Sequence, residues 1–128
     1  MTSPKILYIE DNPENRLLVR RILEAEGYTV VEAVDGPSGL EAARALPPDL
    51  ILLDINLPEM DGYELVGRLR RLPGLATTPI IALTAYALKG DRERILAAGC
   101  DGYIQKPIDV DSLPMQVAAF LKKRTGSD

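Results

Sequence analysis

Five times along this chain, a short aliphatic run ends at a turn and gives way to a helical pattern. The runs are Lys5–Glu10, Thr29–Ala33, Leu50–Asp54, Pro79–Leu83 and Gly102–Gln105. Strict alternation of strand and helix demands right-handed crossovers, and these return every strand parallel to the one before. Parallel sheets are covered by helices on both faces, so their central strands read as continuous aliphatic runs. The first, third and fourth runs do so. The second carries Thr29 and Glu32, and the fifth is short and carries Gln105, so these two belong at the sheet edges. The order that satisfies this is 2-1-3-4-5, in an α/β protein with a five-stranded parallel sheet and three layers.

The helical stretches carry their own punctuation. Asn12 is a good N-cap before Pro13 at a first helical position. The first helix should run to about Glu26, with Leu18, Ile22 and Ala25 on its apolar stripe and Gly27 as its stop. Asp35-Gly-Pro37 leads into a second helix, with Leu40, Ala43 and Leu46 as apolar positions and Pro47-Pro48 at its end. Tyr63 opens a third, with Leu65, Val66, Leu69 and Leu72 at helical spacing. Its Arg68, Arg70 and Arg71 read as a solvated face. A fourth covers roughly Lys89–Ala98 and stops at Gly99. A fifth carries Leu113, Val117, Phe120 and Leu121 on one face, and Pro114 fits its first turn.

Composition bounds the partners. The 128 residues suit one domain that buries roughly 65–70% of its unfolded surface, and 46% hydrophobic residues is an ordinary globular share. A net charge of −4 disfavours nucleic acid, because phosphate-backbone binding needs a basic face. Apolar runs fall far short of a membrane span, which argues against a membrane partner. Cys100 is the single cysteine, so no internal disulfide can form and a reducing, cytoplasmic setting fits. It reads as a small buried apolar residue, since no histidine exists to activate it. Met1 leads almost directly into a strand, leaving no room for a signal peptide. The start and the polar end read as a complete small protein: a domain over 1–124 and a short tail over 125–128.

In the order 2-1-3-4-5, the topological switch lies between the first and third strands, and ligands bind there beyond the carboxyl ends. Those ends carry Glu10-Asp11 and Asp54; the neighbouring strands end near Thr84 and at Lys106-Pro107. Each residue has an ordinary structural role available: turn acid, loop acid pair, helix cap, surface cation. All of them falling at adjacent strand ends makes that joint reading improbable. Three carboxylates in one crevice need a counter-charge. They are hard oxygen ligands of the kind magnesium takes. A carboxylate can also be the nucleophile of phosphoryl transfer. Magnesium would then neutralise one phosphoryl oxygen and Lys106 a second, while Thr84 donates to the third.

With these residues in view, the chain resembles the receiver domain of two-component response regulators, of the CheY-like superfamily and flavodoxin-like (βα)5 fold. The resemblance covers essentially the whole chain. The residues Ile9-Glu-Asp-Asn12, the Asp54 block with Pro58 and Asp61-Gly62, Thr84-Ala85 and Lys106-Pro107 all match in order and spacing. It implies that Asp54 is the phosphoacceptor. Glu10, Asp11, Asp54 and the backbone carbonyl of Asn56 are then the ligands of magnesium, or of manganese in its place. Lys106 and Thr84 would sense the phosphoryl group, and Thr84 and Tyr103 would form the switch. Asn56 and Tyr86 would line the path of the hydrolytic water. Lys106-Pro107 would be a cis peptide. The acid pair is Glu-Asp where many members have Asp-Asp, which keeps metal binding and leaves its affinity open. The loop 84–90 and the start Glu10-Asp-Asn-Pro-Glu-Asn15 look most like single-domain receivers of the DivK type, or receivers excised from hybrid kinases. No output domain follows in the sequence.

The resemblance implies a phosphorelay switch. A sensor histidine kinase or histidine phosphotransfer protein would be the donor. A downstream protein would bind the face made by the fourth helix, fifth strand and fifth helix. It implies no enzyme beyond the chain's own phosphoryl transfer and autodephosphorylation. One alternative is an Asp-nucleophile phosphatase. Such enzymes of the haloacid-dehalogenase type place the nucleophile on the first strand with a second Asp two residues later; here it is on the third, and position 56 is Asn. The other alternative is a scaffold that works without phosphorylation, against which the full acid set argues.

Overall fold

A computed structural model of the chain describes residues 3–58, 60–85 and 89–124. Five strands alternate with five helices: β1 (Lys5–Ile9), α1 (Pro13–Ala25), β2 (Thr29–Ala33), α2 (Gly36–Ala45), β3 (Leu50–Asp54), α3 (Gly62–Arg70), β4 (Ile80–Thr84), α4 (Lys89–Ala97), β5 (Gly102–Gln105) and α5 (Leu113–Arg124). All strand pairs are parallel and the order is β2-β1-β3-β4-β5. This is the expected flavodoxin-like sandwich, with the two interrupted strands at its edges.

Strand alternation divides the core. Leu7, Ile9, Ile51, Leu53, Ile80 and Ala82 point to one face and pack with Ala43, Leu65, Val66, Leu69 and Ile95 from α2, α3 and α4. Ile6, Tyr8, Leu50, Leu52, Ile81 and Leu83 point to the other and pack with Val19, Leu23, Leu113 and Val117 from α1 and α5. β3 and β4 are buried along their whole length, as central parallel strands must be.

Two sets of expectations are corrected on the helices, the apolar positions of α1 and α2 first. Of the expected α1 stripe, Ile22 packs inward, but Leu18 and Ala25 do not. Val19 and Leu23 are buried with Ile22 partly covered, whereas Leu18 is 38% exposed and Ala25 lies outside. Three consecutive apolar residues, Leu17 to Val19, allow more than one stripe. The helix starts at the Asn12 cap, whose Oδ1 accepts from the Asn15 N–H at 3.0 Å, and packing against the sheet selects the stripe. Leu46 likewise lies one residue past α2 and is 57% exposed.

The second correction concerns the arginines of α3. Arg68 pairs with Glu64 one turn back, on the surface. Arg70 is no solvated side chain. Its guanidinium donates to the carbonyls of Gly99, Leu75 and Thr78, and to Asp101 Oδ2 at 2.6 Å. The same carboxylate oxygen accepts from the Ile80 N–H at 2.9 Å. Arg70 therefore ties the end of α3 to the start of β4 and the approach to β5. Cys100 is buried as expected, and burial pushes its thiol up to about 12. No helix among the described residues is long and apolar enough to cross a membrane.

Candidate phosphoryl-transfer site

The register of β1 against β3 builds the site. Ile9 stands opposite Leu53, so the next residue on each strand, Glu10 and Asp54, emerges side by side. Each shares a strand face with the residue two before it, Tyr8 and Leu52, so both carboxylates lean toward the α1 and α5 side. Glu10 is 1% exposed and Asp54 5%. Asp11 is exposed and opens the group to solvent. Carboxylate oxygens of Glu10, Asp11 and Asp54 lie within 4.8 Å of one another.

Lys106 brings the counter-charge. β5 pairs with β4 through Thr84 and Gln105, and the Lys106 N–H donates to the Thr84 carbonyl at 2.7 Å. Its ammonium reaches back across β4 to donate to Asp54 Oδ2 at 3.0 Å and Glu10 Oε1 at 3.4 Å. Burial opposes the Lys106 charge, but the hydrogen bonds and charges of Asp54 and Glu10 outweigh it and hold its pKa above the ordinary value. Burial, and then the charge of Asp54, push the Glu10 carboxyl up; the Asn12 N–H and Lys106 pull against this and lose.

The other Asp54 oxygen, Oδ1, accepts from the Asn56 N–H at 2.9 Å. The loop holding Asn56 is fixed by Gly62: a Cβ there would lie 2.7 Å from Ile55 Cα and collide with the Ile55 carbonyl oxygen. Asp61 caps α3 by accepting from the Tyr63 N–H at 2.9 Å. Thr84, 3% exposed, ends β4 beside Asp54. The Lys106–Pro107 peptide is cis. Tyr103 is partly buried against the core under α2, α3 and α4. Tyr86, with Ala87 and Leu88, and the tail at 125–128 lie outside the described residues.

Among the described residues the donor set is all oxygen, and three carboxylates face the Lys106 ammonium. That combination suits a hard divalent cation, which would relieve the excess negative charge. A buried carboxylate beside an ammonium, with Thr84 ending the adjacent strand, is an arrangement that suits phosphoryl transfer.

Three sets of contacts about the site were not read from the sequence. Tyr8 is wholly buried, and its hydroxyl donates to Glu10 Oε1 at 3.1 Å. The Asn12 N–H donates to Glu10 Oε2 at 3.2 Å. Arg16 donates from Nη1 to the Glu10 and Asp11 carbonyls at 2.8 and 2.9 Å, and from Nε to Glu32 Oε1 at 3.2 Å. The signal for Tyr8 was present: two residues before Glu10, it must share its strand face. Arg16 carried none, since one charge on an exposed helix start looks like any other.

Comparison with known proteins agrees with this geometry. Residues 6–118 match the family model for the response regulator receiver domain. The chain is 42% identical over 119 residues to a polar-differentiation response regulator DivK of Brucella ovis, covering 93% of this chain and 97% of that one. Among solved structures, the chemotaxis response regulator CheY4 of Vibrio cholerae superposes with a TM-score of 0.89 at 30% identity, covering 93% of this chain and 99% of that one. The receiver domain of the sensor histidine kinase PA1611 of Pseudomonas aeruginosa, with a magnesium ion coordinated in its active site cleft, gives 0.83 at 36% identity. It covers 98% of this chain and 100% of that domain.

Proposed function

This chain belongs to the response regulator receiver domain family of two-component systems, and we propose that Asp54 is its phosphoacceptor. Receiver domains signal with histidine kinases and downstream targets and are not enzymes in the ordinary sense. The observation that carries the assignment is the Lys106 ammonium, 3.0 Å from Asp54 Oδ2 and 3.4 Å from Glu10 Oε1, in a crevice of three carboxylates.

The chemistry follows from that crevice. An Asp54 oxygen attacks the phosphorus of a phosphohistidine on a sensor kinase or histidine phosphotransfer protein. An O–P bond forms as the N–P bond breaks; the electron pair stays on the imidazole nitrogen, which takes up a proton. Lys106 is placed to neutralise one phosphoryl oxygen and Thr84 to donate to another. Glu10, Asp11, Asp54 and the Asn56 carbonyl would hold magnesium or manganese, which supplies charge neutralisation at a phosphoryl oxygen. The magnesium in the similar PA1611 receiver supports this choice. Asn56 and Tyr86 tune the lifetime of the acyl phosphate, which the domain hydrolyses itself. Thr84 and Tyr103 pass the change to the face of α4, β5 and α5, where a downstream protein binds. The domain spans 1–124, the remaining four residues are tail, and it works in the cytoplasm.

Acetyl phosphate with magnesium tests the assignment. Labelling should fall on Asp54 alone, and Asp54→Asn should abolish it with an unchanged circular dichroism spectrum. Labelling of that variant at the parental rate would sink the proposal.

A further inference from the structure

The phosphoryl-transfer reading gives no role to Tyr8. Tyr8 is one of the largest fully buried side chains, and it packs in the core between the sheet and α1 and α5. A phenylalanine would fill that volume with no hydroxyl to satisfy, and burying a hydroxyl is costly unless it is bonded. Here the hydroxyl donates to Glu10 Oε1 at 3.1 Å. The other oxygen of the same carboxylate, Oε2, accepts from the Asn12 N–H at 3.2 Å.

Two fixed donors on opposite oxygens define the plane of a carboxylate. Glutamate needs this more than aspartate does. It has one more rotatable bond, and its terminal torsion has no sharp minimum. Tyr8 is well suited to the task, because its ring is locked by packing. Each carboxylate oxygen can accept about two bonds, so Oε2, which accepts one, keeps capacity for a cation. Lys106 also touches Oε1, but at 3.4 Å and from a flexible stem. When Lys106 turns toward a phosphoryl oxygen, Tyr8 and Asn12 still hold Glu10.

We infer that Tyr8 is a positioning residue for the metal site, whose phenol aims the Glu10 carboxylate from beneath the sheet end. The inference rests on the reading of Glu10 as a metal ligand. Hydrogen-bond partners of ligating side chains typically contribute about 10- to 100-fold in metal affinity.

Calorimetric titration of the unphosphorylated protein with magnesium chloride tests it. Tyr8→Phe should weaken binding by about tenfold. Glu10→Asp withdraws the carboxylate from the phenol, so Tyr8→Phe added to it should change affinity by less than about twofold, as for a pair whose coupling is already lost. In the parent itself, magnesium should shift the Tyr8 ring resonances, a reading that needs no substitution at Tyr8. Parental affinity in Tyr8→Phe would overturn the inference, as would an equal loss in both backgrounds or an unmoved Tyr8 ring. A parent that binds no magnesium would instead overturn the metal-site reading beneath it.

Discussion

Glu10 concentrates the electrostatic problem of this protein into one side chain. It is almost fully buried, stands beside Asp54, and is answered by one shared ammonium. Its pKa is raised by burial first and by Asp54 second, from an ordinary value near 4.5. The folded protein therefore binds more protons at this position than the unfolded chain does over the interval above that value. The contribution of Glu10 to stability is fully present below the unfolded pKa and is lost as pH rises through the higher folded one. Glu10→Gln removes the charge that the fold disfavours. Thermal melts in chelator should show the variant melting a few degrees above the parent near neutral pH, with the gap closing as pH falls toward the ordinary glutamate value. If Glu10 holds the metal as proposed, the same variant should bind magnesium at least about tenfold more weakly. A variant less stable than the parent at neutral pH would show that the Lys106 pairing outweighs burial.

At the scale of elements, short loops and small residues decide where the site groups point. The first residue of α3, after the Asp61 cap, is Gly62, where no side chain fits against the Ile55 backbone. That contact holds the loop that puts the Asn56 N–H on Asp54. Backbone cannot yield as a side-chain tip can, so Gly62→Ala should destabilise by about 1–3 kcal/mol in urea unfolding. Gly67, in the same helix, has open space where a Cβ would go. Gly67→Ala should therefore stabilise by about 0.5–1 kcal/mol through helix propensity. Equal effects at the two glycines would rule out close packing as the reason for Gly62. Phosphoryl labelling of Gly62→Ala should slow as well, since its loop carries the Asp54 hydrogen bond. Gly102 repeats the theme at the other edge, where a Cβ would strike the Phe120 ring of α5.

Across the whole molecule, a central sheet buried on both faces carries the acidic cluster and the Lys106 ammonium at one rim. Among the described side chains of α4, Ile95 is the one that is fully buried. A phosphoryl group brings roughly −1.5 to −2 charges to the rim, next to Thr84 at the end of β4. A partner senses it only through a difference in affinity between two states, typically about 1–3 kcal/mol of coupling. A beryllofluoride adduct, which mimics the aspartyl phosphate, should shift amide resonances over residues 84–90 and 103–106. Thr84→Ala should bind the mimic and lose most of the shifts beyond the crevice. Distal shifts that persist in Thr84→Ala would remove Thr84 from the coupling and leave the route to the output face to another residue.

The sequence by itself determined the sheet. Periodicity and turn residues located ten elements, edge polarity ordered the strands, and strand order located the crevice, because each is a local property that the backbone must obey. It also determined which acids, hydroxyl and ammonium stand at the rim. Tertiary structure alone decided which α1 stripe faces inward, because consecutive apolar residues leave several stripes open. It alone turned Arg70 into an internal tie, since two of its acceptors, Gly99 and Asp101, lie 29 and 31 residues away in the α4–β5 connection. It alone joined Tyr8 to Glu10, since strand alternation puts two residues on one face without saying that a phenol and a carboxylate will meet at 3.1 Å.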